Sequence, residues 1–566
     1  MRGERLPVVS TPVSDDETAA ESRVPETTHG APTEHTTDRR RWWMLGFLSI
    51  AMTLVMIDAT VLNVAVPQIA SDIGARPSDV QWFNAMYSLV FASLLITMGR
   101  AGDQIGYRRL FITGVLTFVL ASMIAATADS SSVLIAGRAL QGVGGAMLVP
   151  ATLSMVNERF VGKDRGAAFA VWGVVIGVVA ALGPLLGGFV IEQFSWRWAF
   201  GINLPIAAVA IVGVLLTSDR RPRSTTKVRY DLFGALLSAL AVGSIVFALI
   251  QGFEYGWWRP RGDVKLGPLS WPITAFSPVV VAAILGIVAT LLFLRLESRR
   301  SQRGDPVVLD LTLFKIPTFA AGTLTGLVIM FGEFGMILTL PLFLQNVLGY
   351  NALQAGATVA AITVGGLTGA ISSARFVALR GPATVVRWGL VAQVIAMIGI
   401  AFHYGADTSG IGFIPWLLLF GVGVGLTNAQ LLNLVLADVP VAQSGQASGT
   451  QSTSRQIGIA MGVAVLGAVL WGSLGGELNG RVDDAPAVRD AITATSGASI
   501  NSPDVAAPDR IDALFDAETQ QFAKEAFSDS VAKATLVGAG FVALSLFSMA
   551  RIRRADEADL AEKPST

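Results

Sequence analysis

About fourteen stretches of roughly twenty mostly apolar residues follow one another between Trp42 and Ala550, each long enough to cross the hydrocarbon of a bilayer as an α-helix. No water is available there, so every backbone N–H and C=O must be satisfied inside the segment, and helices are the spanning elements that runs of this length allow. The runs lie near 43–66, 80–98, 109–127, 133–155, 166–190 and 198–216, then 232–250 and 278–296, then 319–344, 353–373, 385–402, 413–434, 446–471 and 531–550. The fold class that follows is an all-α integral membrane protein. Only 14% of the residues are charged, against about 25% in an ordinary soluble domain. With 41 basic and 41 acidic side chains there is no net charge to draw in nucleic acid, and that class is excluded. Cysteine is absent and the three histidines, His29, His35 and His403, are scattered, so no metal centre or thiol chemistry is expected.

Lys and Arg of short loops stay on the cytoplasmic side. They cluster at Arg39–Arg41, Arg108–Arg109, Arg159–Arg165, Arg220–Arg229, Arg295–Arg303, Arg375–Arg387 and Arg551–Arg554, which are alternate loops; the intervening loops are short, neutral or acidic apart from Trp257–Lys265, which mixes Arg259, Arg261 and Lys265 with Asp263. Both termini are therefore expected inside the cell membrane. Residues 1–41, polar and without an apolar core, read as a disordered cytoplasmic tail, and 551–566 as another. Residues 473–530 form a long, polar, acidic external loop with helical patterns at Ile511–Phe515 and Phe522–Phe527; it is either an extracytoplasmic cap or a tolerated insertion.

Within the first run, Asp58 stands in Met56-Ile-Asp-Ala-Thr-Val-Leu-Asn-Val-Ala-Val-Pro67. A charge at the centre of a spanning helix costs about 2.5–3.5 kcal/mol on insertion scales, so such a residue is a candidate for function. Arg138 enters the fourth run a few residues from its outer start, while Asp58 lies nine residues, about 13 Å, before the outer end of the first. Their depths match. A guanidinium favours a neighbouring carboxylate's charge while burial penalises it, and opposed terms of that kind make proton affinity sensitive to small movements. The pair is therefore either a proton-coupling site or a permanent bridge ordering the bundle. Glu333, in Met330-Phe-Gly-Glu-Phe-Gly-Met336, is the other acid deep in a run. Its glycine and aromatic neighbours suggest a cavity wall where it would hold a cationic substrate or a second proton; the competing reading is an acid satisfied by a nearby Gln or Asn. Arg455 is either an intramembrane charge or an end residue reaching for the interface, and the latter is slightly favoured.

Between the second and third runs lies Gly99-Arg-Ala-Gly-Asp103-Gln-Ile-Gly106-Tyr-Arg108-Arg109. Its glycines suit a tight turn and close helix approach, Asp103 is placed to cap the next helix, and the arginines hold the loop inside. This pattern resembles motif A of the major facilitator superfamily. Arg138-Ala-Leu-Gln141-Gly142-Val-Gly144-Gly145 resembles motif B, and Gly177 with Gly183-Pro184-Leu-Leu-Gly187-Gly188 resembles motif C of its antiporters. Asp58-x-Thr60-x-x-Asn63-x-Ala65-x-Pro67 and Ser195-Trp196-Arg197-Trp198-Ala-Phe200-x-Ile202-Asn203-x-Pro205 are similar to the fourteen-helix drug:proton antiporter branch, the DHA2 or EmrB/QacA-like group. The likeness runs from about Trp42 to Ala550. In the second half, Gly369 to Gly381 keeps glycine and arginines but has Ala374 where an acid belongs, as in a degenerate repeat.

The resemblance implies a major facilitator fold: a six-helix bundle over 42–217, two extra transmembrane helices within 218–310, and a second six-helix bundle over 311–550. It implies a transporter and not an enzyme, exporting hydrophobic or cationic small molecules, with the proton gradient as energy source and no cofactor. The Gly177–Gly188 segment has a packing reading, in which small residues bring helices close and Pro184 kinks one, and in the resembled antiporters it is associated with export. Uptake on the same architecture, or export of lipids or natural products, stays open as an alternative. A monomer is expected; whether an envelope adaptor joins it is left open.

Overall fold

The computed structural model describes residues 39–161, 164–175, 179, 189, 193–218, 231–260, 264–266, 269–271, 276–482 and 517–562. The tail before Arg39, the hinge positions Gly177, Gly183, Pro184, Gly187 and Gly188, and the Ile511–Phe515 pattern lie outside them.

The first half contains α1 (Arg39–Asp72), α2 (Pro77–Ile105), α3 (Tyr107–Ala126), α4 (Ser131–Arg159), α5 (described over 164–175), α6 (Trp198–Gly201) and α7 (Asn203–Thr217). Two helices, α8 (Leu232–Tyr255) and α9 (Pro278–Arg303), follow. The second half contains α10 (Pro317–Asn346), α11 (Ala352–Arg380), α12 (Pro382–His403), α13 (Ile414–Val435), α14 (Ser444–Val482) and α15 (Ala517–Glu562). Among the described residues thirteen segments are long and apolar enough to span a membrane, α6 and α7 together forming one of them.

Local chemistry sets the helix ends. Asp231 accepts from Gly234 N at the start of α8, Ser277 accepts from Val279 N ahead of Pro278 in α9, and Asn351 with Gln354 forms a reciprocal cap on α11. Gly106 (φ 92°) is the single residue between α2 and α3, and Gly381 (φ 76°) does the same between α11 and α12. A β-carbon is strained in that backbone region, so glycine is what permits so abrupt a reversal.

Small residues decide how closely the helices pack. A β-carbon at Gly365 or Gly369 of α11 would collide with backbone carbonyls of Leu418 and Val422 on α13, and one at Gly421 or Gly425 would collide with Ile362 and Gly366 in return. Gly458 and Gly462 of α14 lie just as close to Leu327 and Phe331 of α10. With lipid as apolar as the side chains, such close backbone contact is a main source of helix association. In the first half α4 packs on α2 and α3; in the second, α13 packs on α11 and α12, and α15 on α10 and α12. The halves meet where α14 crosses α2 and α4, and α8 lies over that seam, touching both α2 and α14. Helix α9 packs on α8 and turns Ile284, Ile287, Leu291 and Leu292 outward, as lipid contact requires.

Two departures from the sequence pattern stand out. The apolar runs anticipate helices only, yet the α8–α9 connection contains a small antiparallel hairpin, β1 (Val264–Leu266) with β2 (Leu269–Trp271). Three-residue strands beside Gly and Pro leave no periodicity to read. In addition, α14 and α15 continue past their apolar runs into the 473–530 segment, and Glu477 Oε1 of that segment pairs with Lys533 Nζ of α15 at 2.6 Å.

Replacing Gly421 by Leu is expected to prevent assembly of the α11–α13 pair, because a carbonyl of the facing helix occupies the space. Gly356→Ala in open surroundings is expected to leave the size-exclusion profile of solubilised protein unchanged. A monodisperse Gly421→Leu protein at normal yield would contradict the packing assignment.

Candidate functional site

Five side chains from four helices converge in the first half. Asp58 (α1) is 2% exposed and Arg138 (α4) 0%, and they form a direct ion pair. Arg138 Nη1 also donates to Gln141 Oε1 (2.8 Å), and its Nε donates to the Phe83 carbonyl of α2 (2.9 Å). The guanidinium carbon lies 4.5 Å from the Tyr87 ring centroid, within cation–π range. On the acid, Gln141 Nε2 donates to Asp58 Oδ1 (2.6 Å), and Asn203 Nδ2 of α7 reaches the same oxygen at 3.5 Å. Ser122 Oγ of α3 accepts from both Gln141 (3.0 Å) and Asn203 (3.0 Å).

The chain places these groups by simple spacing. Arg138 and Gln141 are three residues apart on one face of α4, with Gly142 and Gly144 beside them letting α2 and α3 approach to contact distance. Asn203 is held by the turn before it. Trp196 Nε1 (2.9 Å) and Arg197 Nη1 (2.7 Å) both donate to Asp72 at the end of α1, and Trp196 is buried against Phe200. The Trp196 and Arg197 hydrogen bonds hold the Asp72 carboxyl below the ordinary carboxylate range. Asp58 and Arg138 thus meet, as their depths suggest; Gln141, Asn203 and Ser122 complete the cluster. Gln141 and Asn203 stand inside recognisable motifs without a stated role. Ser122 stands in none, and no sequence signal points to it.

Glu333 (α10) is also buried, 3% exposed, and its electrostatic neighbours are Arg455, Asn428 and Gln393. Arg455 Nη1 donates to Asn428 Oδ1 at 2.8 Å. The reading of Arg455 as an interfacial end residue is corrected here: eleven residues into α14, about 16 Å along the helix, it turns inward to Asn428 and Glu333. Of the residues read as a cavity wall around Glu333, Gly332, Gly335 and Phe331 make helix contacts. A β-carbon at Gly332 would meet Val542 and Gly538 of α15, one at Gly335 would meet Leu466 of α14, and Phe331 packs on Phe541 at 4.0 Å between centroids. These positions serve helix contact. Each half therefore carries one buried acid, one arginine and amide side chains, without a shared sequence motif.

The Gly99–Arg109 motif joins the two halves at one end. Asp103 does not cap α3, as its position in sequence suggests; it reaches across the seam to the first turn of α14 in the other half. Its Oδ1 accepts from Gly445 N (2.8 Å) and Tyr107 Oη (2.5 Å), and its Oδ2 from Gln446 N (3.0 Å). A carboxylate at a helix N-terminus satisfies donors with no intrahelical partner. Gly99 makes the approach possible, because a β-carbon there would run into the Gly445 carbonyl. Arg108 is half-buried and Arg109 exposed at this end. Asn157 Nδ2 donates to Ser444 Oγ (2.9 Å), Ser154 and Ser448 hydroxyls lie 3.2 Å apart, and Arg165 Nε donates to Asn433 Oδ1 (2.9 Å). Among the described residues, the hydrogen bonds joining the two halves all lie towards this end.

A multi-helix membrane protein whose halves each bury an acid–base cluster, joined by hydrogen bonds at one end, has the architecture of a transporter. The chain belongs to the Major Facilitator Superfamily, which it matches over residues 48–238 and 228–463. It is 32% identical over 472 residues to a probable actinorhodin transporter of Streptomyces coelicolor, covering 82% of this chain and 78% of the relative. It is 34% identical to the puromycin resistance protein pur8 of Streptomyces alboniger (74% and 80% covered) and 31% identical to the multidrug efflux pump LfrA of Mycolicibacterium smegmatis (76% and 81%). Among solved structures, the human organic anion transporter MFSD10 superposes with a TM-score of 0.53 at 15% identity, covering 90% of this chain and 98% of that one, which shows a shared fold. The protein is a multi-pass membrane transporter of small molecules and not an enzyme.

Arg138→Met leaves Asp58 without its counter-charge and is expected to destabilise solubilised protein by about 3–5 kcal/mol. The double variant Asp58→Asn/Arg138→Met is expected to unfold at a higher temperature than Arg138→Met alone. The reverse order in thermal unfolding would contradict a directly paired buried ion pair.

Proposed function

We propose that this transporter exports hydrophobic or cationic small molecules across the cell membrane in exchange for protons, with Asp58 as the coupling group. The observation that carries the proposal is the Asp58–Arg138 pair, buried and cross-braced by Gln141, Asn203 and Ser122. In the closed arrangement the acid is sealed from both sides, so exchanging its proton requires the halves to move, which is the linkage a pump needs. Protonation removes the charge that Arg138 and Gln141 hold, and the hydrogen bonds drawing α1, α4 and α7 together weaken. Rocking of the halves then alternates access. Glu333, with Arg455, Asn428 and Gln393 around it, is the second titratable candidate, serving substrate or a further proton.

The basic loops support a cytoplasmic location for the Asp103 end and both termini. The hydrogen bonds between Asp103 and the α14 N-terminus are then a cytoplasmic lock, closed here and broken when substrate enters from inside. Export is supported by the relatives named for antibiotic transport, resistance and multidrug efflux and by the antiporter-like segment around Gly183 and Pro184. No cofactor is needed. A potential of 100 mV supplies about 2.3 kcal/mol per charge, enough for roughly a fifty-fold gradient. The working unit is a monomer, and natural-product antibiotics belong among the candidate substrates.

Ethidium efflux from expressing cells tests this reading. Efflux is expected to stop on adding a protonophore and to fall to the empty-vector rate in Asp58→Asn, with Glu333→Gln reduced. Unchanged efflux in Asp58→Asn would remove that residue as the coupling site, and efflux indifferent to the protonophore would remove proton exchange altogether.

A further inference from the structure

The lock is held from a second direction. Glu297, near the end of α9, is fully buried, and its Oε2 accepts from the backbone N–H of Val308 (2.9 Å) and of Leu309 (3.2 Å). Its helix is fastened to α8 close by, where Asp231 caps α8 through Gly234 N (2.7 Å) and forms an ion pair with Arg300, one turn beyond Glu297. The segment fixed by Glu297 continues to Asp310, whose N–H donates to Gln446 Oε1 (2.8 Å) and whose Oδ2 accepts from Gln443 Nε2 (3.0 Å). Gln446 is the residue whose own N–H is held by Asp103. A continuous hydrogen-bonded path therefore runs from α9 through residues 308–310 to the α14 N-terminus and across the seam to α2. Helix α8 meanwhile lies against both α2 and α14.

We infer that Glu297 is a positioning residue of the lock: by fixing residues 308–310 it sets, through Asp310, where the first turn of α14 stands relative to Asp103. The α8–α9 pair is then a working part of the gate and not a spacer between two bundles. An acceptor is required at position 297 because two buried N–H groups would otherwise go unpaired, and the path depends on that acceptor more than on its charge. The inference rests on the reading of the Asp103 contact as one that opens during transport.

The chain has no cysteine, so a single Ser448→Cys reporter at the buried seam can be followed by labelling with a membrane-impermeant maleimide in inside-out vesicles. Glu297→Ala and Asp310→Ala are each expected to raise the labelling rate about three- to ten-fold, the scale of one or two net hydrogen bonds. Glu297→Gln, whose amide oxygen accepts the same two N–H groups, is expected to return to the background rate. Combined with Asp103→Ala, Glu297→Ala is expected to add less than its separate effect, as on a shared path. If Asp103→Ala speeds labelling while Glu297→Ala and Asp310→Ala do not, the role of Glu297 is overturned. If Asp103→Ala itself has no effect, the lock reading fails and the inference with it. Should Glu297→Ala not reach the membrane, Asp310→Ala decides alone.

Discussion

A carboxylate and a guanidinium can remain in hydrocarbon only when nearly every polar atom on both is engaged, and the first half of this transporter is organised around that requirement. Arg138 is held by Asp58, Gln141 and the Phe83 carbonyl, with the Tyr87 ring against its face; Asp58 is held by Arg138, Gln141 and Asn203. Meeting these demands draws α1, α2, α3, α4 and α7 to one point. Such a pair contributes little net stability, because desolvation offsets most of the attraction. On the proposed mechanism its value lies in the difference between its charged and neutral states.

The proposed coupling site and the proposed lock lie towards opposite ends of the same helices. Helix α2 carries the Phe83 carbonyl and Tyr87 at one end and Asp103 at the other; α4 carries Arg138 at one end and, through Ser154 and Asn157, contacts with α14 at the other. A change in the charge of Asp58 is therefore felt by two helices that also form the closed seam. On the proposed mechanism this is a physical route for coupling, because transmission between separated sites needs packed elements that both sites bias. The second half offers α14 as the counterpart, bearing both the capped N-terminus and, further along, Arg455 beside Glu333.

Much of this was legible in the residues. Runs of about twenty apolar residues declare the spanning helices, and an acid and an arginine at matching depth declare a pair. The glycines of the loop motif declare close approach, which Gly99 makes against Gly445. What the sequence concealed was chiefly which residues separated by hundreds of positions would meet. Asp103 is as well placed in sequence to cap α3 as α14, and only the packing of α2 on α14 decides. Arg455 looks like an end residue because its helix begins in a polar stretch, Ser444 to Ser454, yet that stretch is itself buried at the seam. Ser122, a small hydroxyl in an apolar run, carries no pattern at all, and the glycines beside Glu333 read equally well as cavity wall or helix contact.

Proton exchange at Asp58 is the central claim, and proton release on substrate binding tests it most directly. Ethidium added to purified, weakly buffered wild-type protein near neutral pH should release protons in saturable proportion to the protein present, and the Asp58→Asn protein should release none at that site. Equal release from both proteins, or none from the wild type at saturating dye, would contradict the claim.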